Sequence, residues 1–251
     1  MGSIIAIDGP AGSGKSTLAR SLGDVLGLHV LDTGAMYRAA ALKVIYVMGK
    51  EQSGTLTEVS SDKSWSLHVA EIVKKSVIVI EDRVSLDGQD VTEEIRTDQV
   101  DGFVSFVASI PAVRKDLVSR QRQWIAMHNG GVVEGRDIGT VVCPDADLKI
   151  YLTASIEARA ERRAGERATG ERAKLESMID RRDELDMNRS TGALPSLELA
   201  ALAESAGRDD MIVIDSTEHD ASDVLSIVLA RLEKVGIHPP STQIGYETDE
   251  I

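Results

Sequence analysis

The segment IIAIDGPAGSGKST at positions 4–17 constrains the fold more than any other part of the chain. Ile4–Ile7 is short, apolar and mostly β-branched, which is typical of a buried parallel strand. Gly9–Ser16 has the spacing G-x-x-x-x-G-K-[ST], in which backbone N–H groups wrap a polyphosphate and the lysine neutralises its oxygens. Ser16–Leu28 then carries apolar residues at helical spacing. Because the start of a helix adds partial positive charge, this strand–loop–helix order predicts a nucleoside triphosphate site.

The candidate triphosphate-binding residues are consecutive in the chain. They are Gly9, Pro10, Ala11, Gly12, Ser13, Gly14, Lys15, Ser16 and Thr17. In this pattern the serine hydroxyl coordinates a magnesium ion. Ser16 is therefore the candidate metal ligand, and Mg²⁺ is the expected cofactor, with ATP as the co-substrate. The alternative is a glycine-rich turn that merely contains a lysine, but the segments on both sides independently match a phosphate site.

Composition restricts the partners and the compartment. The 251 residues include 28 Lys and Arg against 41 Asp and Glu, and the net charge of −13 argues against a nucleic-acid or anionic-membrane partner. Cys143 is the single cysteine, which excludes an internal disulfide and favours a reducing compartment. No secretory signal and no apolar run of about 18 residues is found, so we expect a cytoplasmic protein. We also expect a monomer whose partners are the nucleotides.

Strand and helix signals alternate along the chain. Further strands are expected at 29–31, 131–134, 148–152 and 211–214, and helices at 35–47, 99–108, 113–127, 156–182 and 221–235. This alternation predicts an α/β fold with a parallel sheet covered by helices on both faces. The polar stretch 51–62 is loop-like, and the hairpin signal Asp87-Gly88 predicts a small β-containing insert at about 55–95. Residues 1–235 are thus expected to form one domain, followed by a disordered acidic tail at 236–251.

Three arginines lie where predicted strands end or helices begin. They are Arg38, Arg136 and Arg189. Ligands of open α/β sheets bind at the carboxyl ends of the strands, and guanidinium groups hold phosphate through paired hydrogen bonds. The three side chains therefore predict a second phosphate-binding site, although any one of them alone could be a surface ion pair.

A second group of arginines suggests a lid at about 156–186. Arg159, Arg162 and Arg163 follow one another at i, i+3 and i+4, so they share one helical face. A charged helical hairpin that closes over the triphosphate would exclude water and place arginines on the transferring group. The alternative is a solvated helix of mixed charge. The candidate catalytic residues are Lys15, Arg136, Arg159 and Arg162.

Several segments together resemble the bacterial cytidylate kinases in collinear order over about residues 3–235. They are IDGPAGSGKST, LDTGAMYR, VTEEIRT, EGRDIGTVV, PDADLKIYLTAS and RDELDMNR. The resemblance implies a P-loop kinase core, a nucleoside monophosphate region enlarged by an insert, and a short helical lid. It also implies ATP-dependent phosphorylation of CMP and dCMP to CDP and dCDP.

Matched motif by motif, the resemblance implies nine CMP-binding residues. They are Thr33, Arg38, Ser105, Arg114, Arg136, Asp137, Arg182, Asp186 and Arg189. Arg38, Arg136 and Arg189 would hold the phosphate, while Arg182 and Asp186 would contact the sugar. Ser105, Arg114 and Asp137 would read the cytosine edge, since a carboxylate accepts from cytosine N4 and an arginine donates to O2 and N3.

One segment departs from the family, and two other functions stay open. The stretch at 190–210 keeps Pro195 but adds a helical run rich in alanine and leucine. A kinase for UMP or AMP would share the core and differ only in the base-reading residues. A nucleotide-dependent switch protein usually carries N-K-x-D, and here neither Asn129 nor Asn188 is followed by lysine.

Overall fold

The computed structural model describes residues 2–51, 63–166, 172–206 and 209–240. These residues form eight strands: β1 (Ile4–Asp8), β2 (Val30–Asp32), β3 (Ile78–Ile80), β4 (Val84–Leu86), β5 (Gln89–Asp90), β6 (Gly131–Gly135), β7 (Leu148–Thr153) and β8 (Met211–Asp215). They also form nine α-helices: α1 (Lys15–Leu26), α2 (Thr33–Glu51), α3 (Lys63–Lys75), α4 (Asp98–Ser109), α5 (Pro111–Met127), α6 (Ile156–Glu166), α7 (Arg172–Met187), α8 (Leu197–Ser205) and α9 (Ala221–Lys234). None of these helices is long and apolar enough to cross a membrane.

Parts of five predicted segments lie outside the described residues. These parts are 52–62 of the predicted loop with 55–62 of the predicted insert, 167–171 of the predicted lid, 207–208 of the segment that departs from the family, and 241–251 of the predicted tail. Glu51, expected in the loop, instead ends α2.

The central sheet is parallel throughout, with the strand order β2–β6–β1–β7–β8. In the middle strand, Asp8 is paired with Gly135 of β6 and with Tyr151 of β7. The two neighbours of β1 thus lie on opposite sides of it, and the crevice at the carboxyl ends of such strands is where open α/β sheets bind ligands. The phosphate loop begins at this point, directly after Asp8.

Successive residues of β1 face opposite helical layers. Ile5 and Ile7 are buried in a cluster with side chains of α1 and α9. Ala6 is buried in a second cluster with side chains of α2, α4 and α5. Helices therefore cover both faces of a strand that is apolar on both sides, and the predicted fold class is confirmed.

The hairpin signal at Asp87-Gly88 corresponds to a small antiparallel sheet of β3, β4 and β5. Asp87 and Gly88 have φ values of 51° and 82°, the left-handed conformation that a tight hairpin turn requires. Helix α3, which precedes this sheet, was not among the predicted elements. Its buried residues Trp65, Val69, Ile72 and Val73 have helical spacing and pack on the same core as α2.

The charge-rich stretch expected to be helical at 156–182 forms two helices, α6 and α7, and α7 continues to Met187. The two helices bury a small apolar cluster of Ala160, Leu175 and Ile179 between them. The predicted alanine- and leucine-rich helix is α8, which begins after Ser196 because the Ser196 hydroxyl accepts from the Leu199 N–H at 3.2 Å.

Candidate active site

The phosphate loop has a backbone that only glycine adopts readily. Gly9, Gly12 and Gly14 have φ values of 151°, 76° and 95°. A Cβ atom on Gly9 would also overlap the carbonyl oxygen of Leu152 in the neighbouring strand β7. The glycines therefore let the loop curl tightly against the sheet and present its N–H groups at the start of α1.

Lys15 is buried within this loop. Its Nζ donates to the Pro10 carbonyl oxygen at 2.6 Å and to the Ser13 hydroxyl at 3.4 Å. Burial, reinforced by the nearby Arg136 guanidinium, lowers the pKa of Lys15. A polyphosphate bound in the loop would be the anionic partner that stabilises the charged form of Lys15.

Two carboxylates that were not among the predicted site residues, Glu134 and Asp32, lie beside the loop. Glu134 near the end of β6 is buried, and the nearby Ser16 side chain favours the charged form of its carboxyl group. Burial and then the neighbouring Asp32, at the end of β2, raise the pKa of Glu134. A signal was present, because both apolar strands end in an acid at the carboxyl edge of the sheet. The Thr33 hydroxyl donates to the Glu134 carbonyl oxygen at 2.7 Å, which joins the two strand ends.

Asp186 brings two of the three predicted phosphate-binding arginines together. Arg136 Nε donates to its carboxylate at 2.9 Å, Arg189 forms a second ion pair with it, and Ser105 Oγ lies 3.3 Å away. Burial alone would raise the pKa of this carboxyl group, but Arg136 and Arg189 bring it below its ordinary value. Asp186 therefore holds the two guanidinium groups in one place.

The third predicted arginine, Arg38, is held by a different carboxylate. Asp101, at the start of α4, forms ion pairs with Arg38, with Arg163 at 2.6 Å and with Arg182 at 3.2 Å. Burial, together with the charges of Arg38 and Arg136, lowers the pKa of Arg182 to about 9. Arg182 is thus close to the arginines of both clusters. Asp101 was not among the predicted site residues, since an acid in the first turn of a mostly apolar helix is an ordinary helix-start feature.

Arg114 and Asp137 form a buried ion pair, with each residue 4% exposed. The Arg114 guanidinium also lies over the Tyr37 ring, 5.5 Å from its centroid, and its Nη1 has no hydrogen-bond partner among the described residues. Burial raises the pKa of Asp137, although Arg114 opposes the shift. Gly192 packs directly on the pair, because a Cβ there would overlap both side chains. The pair combines a carboxylate acceptor with an unsatisfied buried donor.

Two candidate catalytic arginines of the predicted lid, Arg159 and Arg162, contact the phosphate loop. Arg159 donates to the Ala11 carbonyl oxygen at 3.0 Å and forms a buried ion pair with Asp183 of α7. Arg162 donates to Ser216 Oγ at 3.0 Å and, more weakly, to the Ser13 carbonyl oxygen at 3.3 Å. Sequence spacing placed these arginines on one face but could not identify Asp183 as a partner, since it lies on a different helix.

The described residues place a phosphate loop and two arginine clusters at the carboxyl edge of one parallel sheet, which defines a P-loop kinase. The cytidylate kinase family matches residues 5–234, and the chain belongs to this family. It is 44% identical over 234 residues to the cytidylate kinase of Pelotomaculum thermopropionicum, covering 91% of this chain and 95% of that one. It is 41% identical over 240 residues to the cytidylate kinase of Rhodococcus opacus, covering 93% and 96%. The resemblance seen in the sequence is confirmed.

Proposed function

We propose that the protein transfers the γ-phosphoryl group of ATP to CMP and dCMP, forming CDP and dCDP. The observation that carries this proposal is the adjacency of Arg136 and Asp137 at the end of β6. Arg136 belongs to the arginine cluster on Asp186, and Asp137 belongs to the buried pair with Arg114. One short segment thus connects a phosphate-binding cluster to a pair suited to a base.

The phosphate loop would hold ATP through the backbone N–H groups of Gly9–Thr17. Lys15 would exchange its hydrogen bond to the Pro10 carbonyl for one to the β- and γ-phosphates. Phosphoryl transfer requires little covalent chemistry from the protein, so the contribution of Lys15, Arg136 and Arg162 is positioning and charge neutralisation. Arg159 donates to the loop backbone and to Asp183, so we assign it the role of positioning the loop.

The donor set beside the loop fits Mg²⁺, which is commonly held by one or two carboxylates together with substrate phosphates and water. The Ser16 hydroxyl and the Glu134 carboxylate, with Asp32 nearby, are the residues that would hold it. A cation would also offset the repulsion between the buried Glu134 carboxylate and the neighbouring Asp32. When bound, Mg²⁺ would neutralise charge that develops on the phosphates during transfer.

The CMP phosphate would lie between the two arginine clusters, held by Arg38, Arg136 and Arg189. Asp137 would accept from cytosine N4, and Arg114 would donate to O2 and N3. Ser105, whose hydroxyl donates to Asp186 in the free protein, would complete the contacts to the base. Arg182 and Asp186 would contact the sugar, and Thr33 would shape the wall next to Glu134. Uracil presents O4 where cytosine presents N4, so the Asp137 carboxylate would repel it.

The deciding experiment is a coupled assay of ADP formation with CMP, dCMP, UMP and AMP at equal concentrations. We expect rapid ADP formation with CMP and dCMP and slow formation with the other two. Faster turnover of UMP or AMP would instead indicate a kinase for that nucleotide, an alternative that membership of the cytidylate kinase family argues against. Hydrolysis of nucleotide without any acceptor would point to a switch protein.

We also propose that the enzyme acts as a monomer in the cytoplasm, which gel filtration and cell fractionation would test.

A further inference from the structure

The five residues that follow Asp137 form an unusual backbone element. Ile138–Val142 is a π-helical turn, in which the Cys143 N–H donates to the Ile138 carbonyl five residues back at 2.7 Å. Such turns are rare and are less stable than an α-helix, so a short one needs support from outside. Its position is important, because it directly continues the segment that carries Arg136 and Asp137.

A carboxylate holds the amino-terminal end of the turn. The two oxygens of Asp8 accept from the Ile138 N–H at 2.6 Å and from the Gly139 N–H at 2.8 Å. The approach is close, since a Cβ on Gly139 would lie 3.3 Å from Asp8 Oδ2 and 3.2 Å from the Lys149 side chain. Asp8 is itself buried and precedes Gly9, so this contact joins the phosphate loop to the turn.

A guanidinium group holds the other end. Arg122 of α5 donates through Nε to the Val142 carbonyl oxygen at 3.0 Å and through Nη2 to the Val141 carbonyl oxygen at 2.6 Å. An anion on the free N–H groups and a cation on the free C=O groups is the arrangement that stabilises a helical turn at both ends. Arg122 is exposed, so it contacts the turn from the solvent side.

We propose that Asp8 and Arg122 are positioning residues that clamp this turn and thereby fix Arg136 and Asp137 for CMP. The inference rests on the proposed function and extends it, because neither side chain need touch a substrate. Asp8 also gives the clamp a link to ATP, because a shift of the phosphate loop would move Asp8 and, with it, the turn that directly follows Asp137. Loss of either clamp should therefore weaken CMP binding and base discrimination more than turnover at saturation.

The test compares Arg122→Met with Arg120→Met. Arg120 lies on the same helix and also donates to main-chain carbonyl groups, those of Val73, Lys74 and Ser76 near the end of α3, away from the turn. KM and kcat for CMP and UMP are measured for both variants and for the wild type, together with thermal unfolding. We expect Arg122→Met to raise KM for CMP about tenfold and to lower the CMP-to-UMP preference, with kcat changed far less.

Arg120→Met should lower the unfolding temperature but leave KM for CMP and the base preference within about twofold of wild type. Asp8→Asn, which retains the shape but presents an N–H₂ group to one of the two amides, should reproduce the KM effect. The clamp is refuted if Arg122→Met leaves KM for CMP unchanged, or if both arginine variants raise it equally. A wild-type enzyme that does not phosphorylate CMP would instead overturn the proposed function, so the two failures are distinguishable.

Discussion

Asp183 of α7 accepts a hydrogen bond from the backbone N–H of Ala11 in the phosphate loop at 3.1 Å. The same carboxylate pairs with Arg159 of α6, and Arg159 donates to the Ala11 carbonyl oxygen. Both the donor and the acceptor of one loop residue are therefore bound by the two helices of the proposed lid. Movement of these helices and the shape of the phosphate loop are coupled through this contact.

Removing this contact should weaken both the fold and ATP binding. Arg159 and Asp183 are 8% and 4% exposed, so loss of one charge leaves the other buried without its partner. For Asp183→Asn we expect a loss of about 1–3 kcal/mol in the free energy of unfolding and a higher KM for ATP. Urea unfolding and initial rates measure the two quantities. Asp180→Asn, an exposed position on the same helix, is the matched control and should change neither.

Lys15→Ala should abolish most of the turnover and leave the fold intact. The ammonium group is needed when charge shifts onto the γ-phosphate, so we expect kcat to fall by at least about 100-fold. Burial and the Arg136 charge lower the pKa of Lys15, so the charged form is disfavoured in the free protein and we expect its removal to cost little stability. Activity and a thermal unfolding curve are compared with those of Lys43→Ala, whose side chain pairs with Asp87. Turnover within a few-fold of wild type would contradict the role of the loop.

Substitutions at Asp137 should change the choice of base. Asp137→Ala removes the acceptor for cytosine N4, so KM for CMP should rise and the preference over UMP should fall by about tenfold. Asp137→Asn adds an N–H donor that can face uracil O4, so it should favour UMP further than Asp137→Ala does. Steady-state kinetics with both nucleotides decide the matter. If the CMP-to-UMP ratio stayed at the wild-type value in both variants, Asp137 would be a structural residue.

The parts of the site that the sequence predicts are those that depend on short spacing. The phosphate loop, the strand at Ile4–Ile7, which in the structure continues to Asp8, and the hairpin turn at Asp87-Gly88 follow from local pattern, because they depend on neighbouring residues. The carboxylates that organise the arginines do not follow from it. Asp101 is 62 residues from Arg163, and only the packing of α4 against the pair of helices α6 and α7 brings them together. Long-range ion pairs carry no local signal, and family resemblance identified Asp186 without showing that it binds Arg136.

The stability of the protein should depend on Asp8 between about pH 4 and pH 6. Burial raises the pKa of Asp8 from 3.8 to about 6, although the Ile138 and Gly139 amides and the Lys15 charge oppose the shift and Asp137 adds to it. Between these values the native state holds a proton that the unfolded chain has lost, so stability falls as the pH rises. The contribution is at most about 3 kcal/mol.

Comparison with Asp8→Asn isolates this effect. The variant has no proton to bind at position 8, and the other titrating groups are shared. Burial raises the pKa of Tyr151 to about 12 and that of Cys143 to about 11, so neither group titrates between pH 4 and pH 6. The free energy of unfolding of wild type relative to the variant should therefore decrease from pH 4 to pH 6 and level off above that. A difference that is flat across this range would show that Asp8 titrates near its ordinary pKa.

The proposed lid, α6 and α7, should be the part of the described chain that gains most protection when both nucleotides bind. Its apolar interior consists of Ala160, Leu175 and Ile179, which is little to bury for two helices. Arg163 and Arg182 are held by Asp101, and bound phosphates would give both arginines further anionic partners. Ligand binding should thus shift the population towards the closed form, because the phosphates interact better with that form.

Hydrogen exchange is measured with and without a bisubstrate mimic that joins ATP to CMP. Exchange in the helices should slow by about tenfold or more, while the strands β1 and β7 stay nearly unchanged because they are protected in both states. Equal and high protection of α6 and α7 with and without the mimic would show a rigid hairpin, and the lid assignment would then be wrong.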